Sequence, residues 1–109
     1  MAVTVKQVNE HKSKYKLTDS QKLIQKDCRH VEALLLKKNR AYGNSALDPI
    51  RIFSGADSTE QLMVRIDDKL NRLRTRRIAG AKSADIEDTV LDLIGYLHLL
   101  RVANTLKEK

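Results

Sequence analysis

The segment SADIEDTVLDLIGYLHLLRVA, residues 83–103, is the most apolar stretch of the chain and decides the fold. Ser83 is a suitable N-cap for a helix. The first turn then carries three carboxylates, which suit the positive end of the helix dipole: Asp85, Glu87 and Asp88. The segment therefore predicts one long helix that packs at the centre of the protein.

Successive helical residues turn by about 100°, which separates two polar faces of this helix. One face, predicted to meet solvent, carries Glu87, His98, Arg101 and Thr105. The opposite face carries Asp85, Asp88, Asp92 and Tyr96, with Gly95 beside them. We expect this acidic stripe to point inward, where carboxylates need either arginine partners or a bound cation. Asp88 and Asp92 lie one turn apart and could share a cation, and Gly95 would permit another backbone or a ligand to approach closely.

Length and composition indicate one domain without disulfides. The chain has 109 residues and a single cysteine, Cys28, which we expect to be a buried thiol. One cysteine excludes an intramolecular disulfide and is compatible with a reducing cytoplasm. The sequence contains no run of 18 apolar residues and no signal-peptide pattern, so we expect a soluble cytoplasmic protein with no membrane partner.

The net charge of +7 comes largely from two regions, the lysines of the N-terminal segment and the stretch RLRTRR at 72–77. A basic surface attracts polyanions, which include nucleic acid and phosphorylated small molecules. No nucleic-acid-binding motif is present and aromatic residues for base stacking are few. A solvated basic face is therefore the simpler interpretation of these charges.

The rest of the chain predicts two further helices. Residues 1–17 are a basic tail or short helix, and 18–109 form a single all-α domain. A helix over 19–40, capped by Thr18 or Asp19, has an apolar stripe of Leu23, Ile24, Cys28, Val31, Leu34 and Leu35. After a loop over 39–56, Asp57-Ser-Thr-Glu60 resembles a capping box for a helix to about 76. Its predicted core stripe is Leu62, Met63, Ile66, Leu70 and Leu73. We expect an all-α fold of three main helices, a small bundle completed by homo-oligomerisation.

Carboxylates on two of these helices are the strongest candidates for chemistry. The sequence has no Walker loop, no GxGxxG and no paired Cys-His spacing. Aspartates suit Mg²⁺, and lysines and arginines suit phosphate oxygens. Mg²⁺ held between carboxylates and a polyphosphate can support phosphoryl-transfer chemistry. A nucleotide site is compatible with this pattern.

Three blocks together resemble a known family: KKNRAYGNSALDPIRIFS (37–54), VRIDDKLNRL (64–73) and EDTVLDLIGYLHLL (87–100). The combination resembles the nucleotide-modification-associated domain, type one, a family of small phage and prophage proteins. That family is distantly similar to the MazG-like all-α nucleoside triphosphate pyrophosphohydrolases, which hold Mg²⁺ with carboxylates on two helices. The resemblance covers about 35–105.

The resemblance implies specific site residues. Metal ligands would be Asp67, Asp68, Asp88 and Asp92, with Asp68, Asp88 and Asp92 in the catalytic roles. Ligand contacts would be Lys38, Asn39, Tyr42, Gly43 and Asn44 in the KN-x-x-YGN loop, with Arg65, Lys69, Arg72 and Tyr96 from the other two helices. The sequence departs from the MazG-like pattern, because the acidic runs are reduced and Thr89 stands where a glutamate is usual.

Three functions therefore remain open. The first is a Mg²⁺-dependent nucleoside triphosphate pyrophosphohydrolase in the cytoplasm of an infected or lysogenic host. The second is a non-catalytic phage protein that sequesters a small nucleotide or a cyclic-nucleotide immune signal, which the reduced carboxylate set favours. The third is a nucleic-acid-binding protein. The inward acidic stripe slightly favours the enzyme.

Overall fold

A computed structural model describes residues 16–78, 80 and 83–107. Within these residues the chain forms three α-helices. We name the helices α1 (Asp19–Ala41), α2 (Ser58–Ile78) and α3 (Ser83–Lys107). Residues 16–78, 80 and 83–107 contain no strand, which confirms the all-α prediction. The predicted N-terminal tail lies almost entirely outside the described residues.

A reciprocal capping box begins α1. The Thr18 hydroxyl accepts a hydrogen bond from the backbone N–H of Gln21 (3.2 Å), and the Gln21 side-chain oxygen accepts one from the backbone N–H of Thr18 (2.8 Å). The two bonds satisfy backbone donors that a helix start otherwise leaves unpaired. Of the two predicted caps, Thr18 therefore fills the position.

Asp57 caps α2, as the sequence predicts. Its carboxylate accepts a hydrogen bond from the backbone N–H of Glu60 at 2.9 Å. At the other end of α2, Gly80 has a φ of 70° and its N–H bonds to the carbonyl of Arg77. A left-handed conformation of this kind favours glycine and turns the chain towards α3.

The described chain divides into two compact units, with the boundary between Glu32 and Ala33. Within the second unit, α2 and α3 pack as an antiparallel hairpin. Leu62 and Ala103 are the apolar side chains that this packing buries most completely, together with the polar Thr59 and Thr89. The hydroxyl of Thr89 donates to the carbonyl of Asp85, which satisfies it inside the hairpin.

The predicted core is wrong at several positions. Met63 and Leu70 are half exposed on α2, and Cys28 is exposed on α1, although all three lie in predicted apolar stripes. No residue of α1 is buried. Burial of an apolar helix face is favourable, but a single neighbouring helix can bury only part of that face.

The inward acidic stripe is also wrong for two of its aspartates. Asp85 and Asp88 are exposed, whereas Asp92 and Tyr96 are partly buried. The opposite face is exposed as predicted, at Glu87, His98, Arg101 and Thr105. The reason lies in α3 itself, which carries polar residues on two opposite faces and apolar residues between them, so that helical periodicity does not single out one inward face.

Candidate functional site

Two lysines from different helices converge on one aspartate of α3. The ammonium of Lys69 lies 3.1 Å from Asp92 Oδ2, and that of Lys38 lies 3.7 Å from Asp92 Oδ1. The Lys69 side chain is only 14% exposed, the Asp92 side chain 34% and the Lys38 side chain 48%. A cation as enclosed as Lys69 needs a counter-ion, which Asp92 supplies.

The turn after α1 determines where Lys38 lies. Gly43 and Asn44 both have positive φ, 61° and 65°. The N–H of Asn44 bonds back to the carbonyl of Asn39 at 3.1 Å, and the N–H of Tyr42 bonds to the carbonyl of Lys38 at 2.9 Å. These bonds close the last turn of α1 in the manner of a Schellman cap. The predicted ligand loop therefore ends α1, and Lys38 lies in the last turn of that helix.

Asn39 and Asn44, both predicted ligand residues, contact each other. The Asn39 amide donates to the Asn44 side-chain oxygen at 2.8 Å, across the turn. Tyr42, between them in sequence, has an exposed ring. The structure thus gives the two asparagines a role in shaping the turn and leaves the Tyr42 ring accessible.

A second contact between α2 and α3 lies one helical turn from the first. The guanidinium carbon of Arg65 lies 5.9 Å from the centroid of the Tyr96 ring, within the range of a cation–π interaction. Arg65 and Lys69 are four residues apart on α2, as Asp92 and Tyr96 are on α3, so the two pairs share one face of the hairpin. We call Lys38, Arg65, Lys69 and Asp92 the basic cluster.

The basic cluster carries more positive than negative charge. Lys38 and Lys69 both contact Asp92, and Arg65 lies one helical turn away on α2, so the four side chains together carry a formal charge of +2. Ammonium and guanidinium groups bind phosphate oxygens through charge-assisted hydrogen bonds. The arrangement is therefore suited to hold a small anion.

The predicted metal ligands are not brought together in this way. Asp67, Asp68 and Asp88 are exposed. Across the described part of the chain, no three His, Cys, Asp or Glu side chains form a group that could hold a metal ion. Asp92 already has two ammonium groups beside its carboxylate, and these compete with any cation. Arg72, predicted to contact phosphate, is exposed on α2.

A second lysine–aspartate contact was not anticipated. The ammonium of Lys107, in the last turn of α3, lies 3.0 Å from Asp57 Oδ2 and 2.8 Å from the hydroxyl oxygen of Thr59. The Thr59 hydroxyl in turn donates to Asp57 Oδ1 at 2.8 Å. We call these three residues the cap lock. The capping motif signals Asp57, but no local pattern links it to a lysine 50 residues later.

The cap lock strongly favours the ionised form of Asp57. The backbone N–H of Glu60, the Thr59 hydroxyl and the Lys107 ammonium together hold the pKa of Asp57 well below its usual range. Every one of these donors is directed at the carboxylate. The cap lock therefore ties the start of α2 to the end of α3 and has no surplus charge.

A groove of about 590 Å³ runs beside the first half of α2. Ala56, Met63 and Val64 supply its apolar lining, and Glu60, Arg65 and Asp67 supply charged groups. Asp67 thus lines this groove. None of the helices in 16–78 and 83–107 combines the length and hydrophobicity that crossing a bilayer requires.

No protein-family model matches this chain, and no curated protein or solved structure matches it.

Proposed function

We propose that the protein binds a small phosphorylated nucleotide at the basic cluster. The observation that carries this proposal is the convergence of Lys38 and Lys69 on Asp92, with Arg65 one turn away. The resemblance to phage nucleotide-handling proteins supports the ligand class and a location in the cytoplasm of an infected or lysogenic host. The protein acts as a homo-oligomer, a state that the many exposed apolar side chains favour.

Charge and aromatic groups both fit this ligand class. The surplus of two positive charges matches a phosphate dianion or the two phosphodiesters of a cyclic dinucleotide. Tyr42 offers an exposed ring that can stack on a base, and it lies four residues beyond Lys38 in sequence. A ligand with both phosphate and base would use both features.

Binding without hydrolysis is the function that the geometry supports best. Phosphoryl transfer by a MazG-like route needs carboxylates that are free to hold Mg²⁺. Asp92 is instead shared between two lysines, which neutralise it. A binder that sequesters an intact nucleotide needs only the cations and a preformed site.

Mg²⁺-dependent pyrophosphohydrolysis is the second candidate, and Asp88 favours it. This exposed carboxylate lies one turn before Asp92 on α3, and none of the ion pairs in the described part of the chain involves it. In this case the ligands would be Asp67, Asp68, Asp88 and Asp92, with Asp68, Asp88 and Asp92 in the catalytic roles.

Nucleotide binding by matched lysine variants tests the proposal. Lys38→Gln removes a cluster cation, whereas Lys37→Gln removes the same charge from the neighbouring, exposed position. Calorimetric titration with nucleoside mono-, di- and triphosphates and cyclic dinucleotides, with and without Mg²⁺, gives the affinities. We expect Lys38→Gln to weaken binding about 10-fold to 100-fold, the range of one lost charge-assisted hydrogen bond. Lys37→Gln should change it less than threefold.

The products recovered from these mixtures separate the two candidates. Nucleotide recovered intact and protein-bound supports sequestration. Mg²⁺-dependent release of monophosphate and pyrophosphate would establish the enzyme instead. Equal loss of affinity in Lys38→Gln and Lys37→Gln would show that net charge, and not the cluster, attracts the ligand. Absence of binding by every nucleotide in the panel would overturn the proposal and leave nucleic acid as the next partner to test.

A further inference from the structure

We propose that an apolar loop of one chain packs into the α2 groove of a second copy. The apolar loop consists of Ile50, Ile52 and Phe53, with Arg51 among them. The groove is the one lined by Ala56, Met63 and Val64. This inference rests on the homo-oligomer part of the proposed function; Arg65 belongs both to the groove lining and to the basic cluster, but the tests below need no nucleotide.

The side chains of the apolar loop are exposed, while hydrogen bonds within the chain hold its two ends together. Phe53 is fully exposed, and Ile50 and Ile52 are 78% and 71% exposed. The Arg51 guanidinium donates to the carbonyls of Pro49 (3.3 Å) and Ala56 (3.1 Å), on either side of the loop. These bonds tie the two ends of the loop together, so less conformational entropy is lost when its side chains are buried.

The start of α2 reinforces this arrangement. The Gln61 side chain donates to the same Ala56 carbonyl at 2.9 Å, and the Ser54 hydroxyl accepts from the Ala56 N–H at 3.2 Å. The loop is thus joined to the helix whose side chains line the groove. Phe53 does not occupy the groove of its own chain, since its side chain is fully exposed.

A second copy is the occupant that the chemistry favours. The groove has an apolar lining and two carboxylates, Glu60 and Asp67, against one guanidinium, Arg65. The loop that would enter it is apolar and carries the positive charge of Arg51. Every chain presents both surfaces, so a twofold axis would form the contact twice.

The area available is of the size that a stable dimer needs. An exposed aromatic side chain presents roughly 150–250 Å². Phe53 with its two isoleucines, and the half-exposed Met63 and Val64, approach the roughly 800 Å² that one partner contributes to a standard interface.

The mass of the protein in solution gives the first test. Light scattering on the full chain across a dilution series should show a dimer or a multiple of it. Phe53→Ser should raise the dissociation constant about 30-fold or more, as expected for an interface anchor. Because Phe53 buries no surface in its own chain, this variant should retain the wild-type helix content. Leu97→Ser, at a half-exposed position on α3, is the control and should dissociate like the wild type.

Disulfide trapping gives the second test. In a Cys28→Ser background, Phe53→Cys and Val64→Cys proteins are mixed and oxidised. We expect a cross-linked heterodimer of the two, and little product when Leu97→Cys replaces Val64→Cys. An oligomer that survives Phe53→Ser and gives no selective cross-link would overturn this interface while leaving homo-oligomerisation intact. A monomeric wild type would overturn both, whatever the nucleotide titrations show.

Discussion

The basic cluster and the cap lock are both lysine–aspartate sites, but they balance charge differently. In the cap lock one lysine meets one carboxylate, and the Glu60 N–H and the Thr59 hydroxyl satisfy the remaining lone pairs. In the basic cluster two lysines share Asp92, and Arg65 adds a third cation nearby. The charged side chains of the cap lock have a formal net charge of zero, whereas those of the basic cluster have a formal net charge of +2.

This difference separates a structural contact from a candidate binding site. In the cap lock every charged group already has a partner, so a ligand would have to break existing hydrogen bonds in order to bind. In the basic cluster positive charge is in surplus, so a bound anion would stabilise the folded protein. Variants that change the charge balance of one site and not the other therefore test the comparison directly.

The largest effect should follow Asp92→Asn. Without its carboxylate the mostly enclosed Lys69 ammonium loses its counter-ion, and we expect the free energy of unfolding to fall by about 1–3 kcal/mol. Urea unfolding measures the loss. Saturating inorganic phosphate should restore part of it, because an anion that binds only the folded protein raises its stability.

Asp88→Asn is the matched control, since Asp88 is exposed on the same helix. Its stability should stay within about 0.5 kcal/mol of the wild type. Under sequestration, Asp92→Asn also retains or improves nucleotide binding, because the carboxylate no longer competes for the two lysines. Loss of Mg²⁺-dependent turnover in both variants would instead support the enzyme.

A smaller, pH-dependent effect should follow Asp57→Asn. Because folding lowers the pKa of Asp57, the ionised carboxylate stabilises the protein above its unfolded pKa of about 4. That stabilisation is lost as the pH falls below this value towards the lower folded pKa. Asparagine is also a good N-cap, so the variant keeps the helix start and loses only the charge-dependent part.

Thermal unfolding between pH 7 and pH 2 measures this contribution. The variant should melt below the wild type at neutral pH, and the two curves should converge under acid conditions. Asp68→Asn, an exposed α2 aspartate outside the cap lock, should show no such convergence. A wild-type advantage as large at pH 2 as at pH 7 would show that charge at Asp57 is not its source.

The smallest effect should follow Gly95→Ala. Alanine favours the helix by up to about 1 kcal/mol over glycine, but a Cβ here would lie 3.2 Å from Leu35 Cδ2. We expect the gain in helix propensity and the cost of crowding nearly to cancel, so the free energy of unfolding measured in urea should hardly change. In a Leu35→Ala background the same change should raise the free energy of unfolding by about 1 kcal/mol. If Gly95→Ala had the same effect in both backgrounds, a contact between Leu35 and position 95 would be contradicted.

Local signals in the sequence predicted the helices well. The caps at Thr18 and Asp57 act through residues three positions away, and Gly80 ends its helix through its own backbone conformation. These interactions depend on short spacings, which a sequence displays directly. The all-α fold and the bounds of α1 and α2 follow to within about two residues, and α3 continues four residues beyond the apolar stretch 83–103.

Features that depend on which surfaces meet were harder to predict. The sequence predicts that Asp85 and Asp88 face inward, but α3 carries polar residues on two opposite faces, and such a pattern cannot identify which side is covered. The joining of Lys107 to Asp57 depends on the hairpin packing, which no local spacing encodes. Lys38 and Lys69 were predicted as ligand contacts from the resemblance, but their shared contact with Asp92 required the structure.

The contact between α1 and α3 also makes the basic cluster sensitive to chain length. Leu35 and Lys38 are three residues apart on α1, and their contacts Gly95 and Asp92 are three apart in the reverse direction on α3. One residue inserted between Leu35 and Lys38 would rotate the lysine by about 100° and shift it by about 1.5 Å along the helix axis. Relatives of this chain should therefore vary freely in the identity of residues 36 and 37 while tolerating no insertion or deletion there.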